Sequence, residues 1–281
     1  DVWDPHQAAQ LIAAEGVTFS MAATPFLADL TEVAAANDHD LESLHTFLCA
    51  GAPIPPALVQ RARQELGVTI ISCWGMSENG AVTTTRPEDR PEKAAETDGL
   101  PLEGLEVRVV DDQDRPLPNY QEGRLQARGH ATFVGYLKRP ELYGIADDGW
   151  FETGDLAHLD DEGYIRITGR SKDVIIRGGE NVPVVEVEEL IYRHPAVQDV
   201  AVVGMPDERL GERGCAFVQL REGQSLDLEA MVAFLNEGKI ARNYLPERLE
   251  IVPEFPRTPS GKIQKFKLRE MAQELDTEGG A

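Results

Sequence analysis

The apolar positions between Pro5 and Glu15 recur at three- and four-residue spacing, the period of a helix with one face in a core. Residues 18–22 then read as a strand. Residues 56–66 return to the helical period behind a proline, and residues 68–73 form a short, continuous apolar run of the kind that makes a buried strand. Helix and strand alternating in this way predict a largely parallel sheet. Farther along, short β-rich runs at 106–110, 123–127 and 164–168 are separated by Asp, Gly and Pro turns, the pattern of a small antiparallel unit. The stretch 169–172 ends that pattern. It is followed by a predicted helix at 184–194, strands at 197–205 and 215–220, an amphipathic helix at 227–236, a proline-punctuated segment and a polar tail. The expected fold class is α/β with α+β, in three parts: 1–81, 82–169 and 170–281.

Composition narrows the classes of function. Of 281 residues, 42% are hydrophobic and 27% charged, the balance of a globular protein and not of a disordered one. The net charge of −22 is concentrated early, with 29 acidic against 13 basic residues before Ser171 and 20 against 14 from there on. Such a field repels nucleic acid and anionic lipid, so an anionic ligand has to be held by a local basic or backbone-amide site. Cys49, Cys73 and Cys215 lie far apart, which suggests neither a zinc cluster nor a disulfide framework and fits a reducing, cytoplasmic setting. No apolar run approaches the roughly 18 residues of a membrane span, and no charged-then-apolar leader is present in the sequence as given, which opens at Asp1 and not at a methionine. A soluble protein is expected. Oligomeric state is left open.

Four clusters carry candidate chemistry. Cys-Trp-Gly-Met-Ser-Glu at 73–78 follows the apolar strand and would set an aromatic ring, a hydroxyl and a carboxylate at a strand's carboxyl end, where open α/β sheets bind ligands. Trp74 would stack on a base, Ser77 donate to a phosphate oxygen and Glu78 hold Mg²⁺ beside phosphates; the plainer reading is a strand-to-loop transition. Gly-Trp-Phe-Glu-Thr-Gly-Asp at 149–155 sets Asp155 in a Gly-flanked turn, fifteen positions before Arg170. A short carboxylate of this kind accepts from ribose hydroxyls, or merely closes a turn. Arg-Gly-Gly-Glu-Asn at 177–181 lets the backbone approach a ligand closely, or makes a hairpin loop. Pro-Arg-Thr-Pro-Ser-Gly-Lys-Ile at 256–263 presents Lys262 on a rigid loop. It is not a Walker loop, since Pro256 and Ile263 stand where that motif needs Gly and Ser or Thr. The basic residues after it, Lys265, Lys267 and Arg269, are expected to form a solvated face.

Taken in order, these stretches, together with Gly-Arg-Ser-Lys-Asp at 169–173, resemble the adenylate-forming superfamily of acyl-CoA synthetases, luciferases and adenylation domains. The resemblance covers essentially the whole chain. It implies the remainder of a large N-terminal domain, made of a parallel α/β sheet and a small β-barrel-like subdomain, followed by a small mobile C-terminal domain. It also implies ATP, Mg²⁺ and CoA as cofactor and substrates. By that resemblance Gly51, Ala52, Pro53 and Trp74 flank the adenine with Gly75 and Met76 in the same segment, Ser77 touches the α-phosphate, and Glu78 binds Mg²⁺. Asp155 and Arg170 would hold the ribose, and Lys172 would be the hinge. Lys262 would be the catalytic lysine, with Glu78 as its metal-holding partner in catalysis, and Gly178, Gly179 and Glu180 would meet CoA.

The 205–213 run and the closing Ser-Gly-Lys-Ile-Gln-Lys-Phe are most similar to bacterial short- and medium-chain fatty-acid ligases, so a small carboxylate is the expected partner. The competing readings are a carrier-protein-loading adenylation domain and a non-catalytic remnant or interaction module. The family's phosphate loop has no match in this sequence, from which the chain is expected to be a fragment without the β,γ-phosphate cradle. Two further departures are Trp74, where the family usually has Tyr, and Tyr143-Gly144-Ile145, where a Pro-Glu-x-Thr pattern is common.

Overall fold

The structure, a computed structural model, describes residues 3–36, 39–51, 54–258 and 261–278. Asp4 caps the first helix, α1 (Pro5–Glu15), by accepting from the N–H groups of His6 and Gln7, and Pro5 fills a first-turn position that needs no N–H. Gly16, at φ +62°, ends the helix by returning its N–H to Ile12 O. The chain continues through β1 (Phe19–Ala22), α2 (Thr24–Ala35), β2 (Thr46–Ala50), α3 (Pro56–Leu66) and β3 (Thr69–Met76). β1, β2 and β3 are adjacent and parallel, with α2 and α3 as the crossovers that parallel neighbours require. β4 (Gly80–Thr84) folds back antiparallel on β3. After a short helix, α4 (Lys93–Glu96), β5 (Leu100–Pro101) closes the first sheet antiparallel to β4.

A second sheet is made of β6 (Leu105–Val110), β7 (Gly123–Gly129), β8 (Phe151–Leu159) and β9 (Ile165–Arg170), in sequence order. Trp74 and Val82 from the first sheet pack with Leu105, Val109, Leu125, Ala127, Ala157 and Ile165 from the second, so the two sheets share one apolar core. Contacts divide the chain into two compact units, Asp1–Ile167 and Thr168–Ala281.

The second unit holds the hairpin β10 (Ile175–Arg177) and β11 (Glu180–Val182), then α5 (Val184–Tyr192), β12 (Val197–Asp207), β13 (Gly211–Leu220), α6 (Leu228–Glu237), β14 (Arg248–Ile251) and α7 (Lys265–Glu278). The sheet order is β11-β10-β13-β12, with β14 parallel to β13. Val200 and Val202 join Val187, Ile191, Met231 and Leu235 in one core, whereas Ala201, Val203 and Met205 join Phe217, Phe255, Leu268 and Ala272 in another. Both faces of β12 and β13 are therefore covered, which is why these strands read as unbroken apolar runs.

Two expectations are corrected here. The polar tail is a helix: Leu268 and Ala272 on α7 are fully buried, and burial of Leu268 contributes about 2 kcal/mol. Nor do the basic residues of α7 form a simple solvated face. Lys265 is ion-paired with Glu188 at 2.7 Å, and Arg269 is ion-paired with Asp173.

Candidate active site

In the first unit the site begins where β3 ends. Gly75 follows a bulge opposite β4, and a Cβ there would lie 1.9 Å from Gly80 O, so only glycine lets the two strands close. Residues 76–80 form a tight turn: Asn79 Oδ1 accepts from Met76 N at 3.0 Å, Asn79 N donates to Met76 O at 3.2 Å, and Gly80 takes φ +64°. The turn leaves Ser77 exposed and Glu78 half-buried at the carboxyl end of a parallel strand. The Tyr136 hydroxyl donates to Glu78 Oε1 at 2.5 Å, and Phe133 N donates to Glu78 O at 2.7 Å. Phe133 packs edge-on against Tyr136 and Phe151, with ring centroids 4.8 and 5.5 Å away. No local pattern in the sequence points to Tyr136, which lies 58 residues from Glu78.

Asp155 does not sit in a turn, as its flanking glycine suggested, but within β8. Gly154 takes φ +74°, and three residues of β8 face one residue of β7 between the Glu152–Gln126 and Leu156–Arg124 pairs. The carboxylate is directed inward by this irregularity. It is 5% exposed and accepts from the Trp74 indole N–H at 2.9 Å, while Asp155 N donates to Thr153 Oγ1. Trp74 is itself 9% exposed and belongs to the core shared by the two sheets.

Nearby, Asp98 accepts from Ile167 N at 2.8 Å. Burial raises its carboxyl above the ordinary range, an effect that Arg166 and the Ile167 N–H oppose and the Asp155 charge reinforces. Gly51 follows β2 at φ +88° and is exposed; Ala52 and Pro53, expected beside the adenine, lie outside the described residues. Cys49 and Cys215 are buried and their thiols are pushed up to about 12, mainly by burial, so neither is set up as a nucleophile.

In the second unit Arg170 is the exposed last residue of β9, and Lys172 is exposed in a single 3₁₀ turn, Ser171–Asp173. Gly178 and Gly179, at φ +62° and +87°, are the two central residues of the β10–β11 turn, a conformation that favours glycine at both positions. Gly178 N donates to Leu210 O at 2.7 Å, Glu180 accepts from Asn243 Nδ2 at 2.5 Å, and Arg177 donates to Glu247 at 2.5 Å. The hairpin is thus tied down around its glycines. Lys262 is exposed on the loop that leads into α7.

Glu78 supplies one carboxylate, of the oxygen type that Mg²⁺ takes beside phosphates, and the Tyr136 hydroxyl donates to it. Among the described residues no group of three or more metal-ligating side chains occurs, whereas one carboxylate next to a nucleotide is a typical protein contribution to this ion. Glu78 would hold it there, and the ion would supply charge neutralisation on phosphate oxygens.

Comparison with known proteins shows the family. The AMP-binding enzyme family matches residues 1–137 and the AMP-binding enzyme C-terminal domain matches residues 186–262. The medium-chain fatty-acid–CoA ligase of Escherichia coli K12 is 42% identical over 272 residues, which cover 96% of this chain and 48% of that protein. The anthranilate CoA ligase AuaEII, solved with anthranoyl-AMP, superposes with a TM-score of 0.88 at 31% identity, covering 98% of this chain and 52% of that one. The amide bond synthetase McbA of Marinactinospora thermotolerans does so with a TM-score of 0.88 at 32% identity, covering 96% and 55%. The chain belongs to the AMP-binding family of adenylate-forming enzymes, which includes the acyl-CoA ligases. It spans about half the length of the curated relatives it matches.

Proposed function

We propose that this chain is the downstream half of a cytoplasmic, AMP-forming ligase that joins short- or medium-chain fatty acids to CoA. The observation that supports the reading is the 2.9 Å bond from the Trp74 indole, on the strand β3 that leads into the turn holding Glu78, to the buried Asp155 carboxylate, which would accept from ribose hydroxyls. In the first half-reaction a carboxylate oxygen attacks the α-phosphorus of ATP and the bond to the pyrophosphate oxygen breaks, leaving acyl-AMP. Ser77 donates to an α-phosphate oxygen, and Asp155 and Arg170 fix the ribose. The Lys262 ammonium bridges carboxylate and phosphate oxygens, where charge spreads in the transition state. Glu78 would hold Mg²⁺, and the ion would supply charge neutralisation on phosphate oxygens.

In the second half-reaction the CoA sulfur attacks the acyl carbonyl, the thiol loses its proton, and AMP departs with the bonding pair. Gly178 and Gly179 allow close backbone approach to the CoA arm, and Lys172 serves as the hinge that exchanges the Lys262 loop for this hairpin.

The test is product analysis with a full-length protein carrying this sequence, offered ATP, a panel of short and medium fatty acids, and either free CoA or a phosphopantetheine carrier protein. Acyl-CoA with AMP as co-product is expected. Transfer to the carrier alone would favour a loading domain. No acyl-AMP from any acid would favour a non-catalytic chain.

A further inference from the structure

Lys262 is exposed on a loop, and a long flexible side chain there needs a fixed backbone if its ammonium is to meet a developing charge within a fraction of an ångström. The loop supplies part of that fixity. Thr258 N donates to Lys262 O at 2.8 Å, Gly261 N to Thr258 O at 2.9 Å and Lys262 N to Thr258 Oγ1 at 3.1 Å, and Arg257 pairs with Ile263 as an isolated bridge. These bonds close the loop on itself but do not attach it to the sheet.

Arg257 makes the attachment. Its Nη1 donates to Gly261 O at 2.8 Å, the carbonyl of the peptide unit whose nitrogen belongs to Lys262. Its Nη2 donates to Asp199 Oδ2 in an ion pair, and the other Asp199 oxygen accepts from Val200 N at 2.8 Å. Asp199 lies in β12 beside a register irregularity between Val197 and Asp199, which interrupts the regular pairing with β13. One planar guanidinium therefore spans from the sheet to the peptide bond of Lys262. A lysine at 257 is a single point charge and lacks that fork.

We propose that Arg257 and Asp199 are positioning residues for Lys262: they hold its peptide unit in place for adenylation and take no part in thioester formation. The inference rests on the adenylation role of Lys262 proposed above, and the controls separate the two.

In a full-length protein, Arg257→Lys and Asp199→Asn are each measured for carboxylate-dependent ATP–pyrophosphate exchange, for thioesterification of supplied acyl-AMP, and for thermal midpoint, beside Lys262→Ala. Misplacement by about 1 Å predicts a fall of about 10- to 100-fold in kcat for adenylation. KM for ATP should stay near its original value, and thioesterification should be largely unchanged. Asp199→Glu should recover part of the loss. Arg257→Lys added to Lys262→Ala should cost nothing further, because the lysine being positioned is gone.

If Lys262→Ala itself leaves adenylation intact, the role given to Lys262 is wrong. If Lys262→Ala cripples adenylation while Arg257→Lys and Asp199→Asn do not, the positioning proposal is overturned. It is equally overturned if those two variants lower both half-reactions together with the thermal midpoint, or if the double variant is additive.

Discussion

The Trp74 indole N–H and Asp155 Oδ2 lie 2.9 Å apart, joining strands of the two sheets in the first unit across 81 residues of sequence. Both groups are buried, so the bond is formed where a lost partner is costly. Trp74→Phe keeps an apolar ring but removes the donor. Urea denaturation of this chain should show a loss of about 1–3 kcal/mol with an unchanged slope. An unaltered midpoint would mean that the bond contributes nothing to holding the sheets together.

Two glycines should respond differently to the same substitution. Gly75→Ala puts a Cβ against Gly80 backbone, which cannot yield without parting β3 from β4, and a loss of about 3 kcal/mol is expected. Gly179 has nothing within 4 Å of such a Cβ, so Gly179→Ala meets only the strain of positive φ, about 1 kcal/mol. Equal losses in chemical denaturation would contradict the packing argument.

Glu188 gives a pH-dependent prediction. Burial raises its carboxyl above the ordinary 4.5, although Lys265 and the Val202 N–H pull it back. A carboxyl whose folded pKa exceeds its unfolded one binds more protons when folded between the two values. Its contribution to stability is present below the unfolded value and is lost as pH rises through the folded one. Lys265→Ala removes the opposing cation and extends that loss to higher pH. The destabilisation should be larger at pH 7.5 than at pH 5. The same loss at both pH values would rule out this coupling.

Lys172 lies in the single turn that follows β9, and the next residue, Asp173, is anchored to Arg269 on α7. If Lys172 is the hinge, Lys172→Pro in a full-length protein restricts the rotation and not the chemistry. Acyl-AMP formation should persist while transfer to CoA falls by more than about tenfold. Equal loss of both half-reactions would remove the hinge assignment.

How much of this was legible depends on the range of each interaction. The helices Pro5–Glu15 and Pro56–Leu66 carry their own start and stop signals, a proline at the first turn and a glycine after the last, and the structure has both with those bounds. The motif at 74–78 could be placed at a strand's carboxyl end because the apolar run before it is local. α7 was hidden because Lys265, Lys267, Arg269 and Glu270 surround the two positions that are buried, Leu268 and Ala272. Asp155 looked like a turn residue because Gly154 also serves a β-bulge. The partners Tyr136 of Glu78 and Asp199 of Arg257 are each 58 residues away, and a one-dimensional pattern has no means of pairing them.

The most direct test of the account is carboxylate-dependent exchange of labelled pyrophosphate into ATP by a full-length protein with this sequence, run beside its Lys262→Ala variant over short and medium fatty acids. The account predicts exchange with at least one of these acids, reduced by about 100-fold or more in the variant. Exchange that is undiminished without Lys262, or absent with every acid in the unaltered protein, would contradict it.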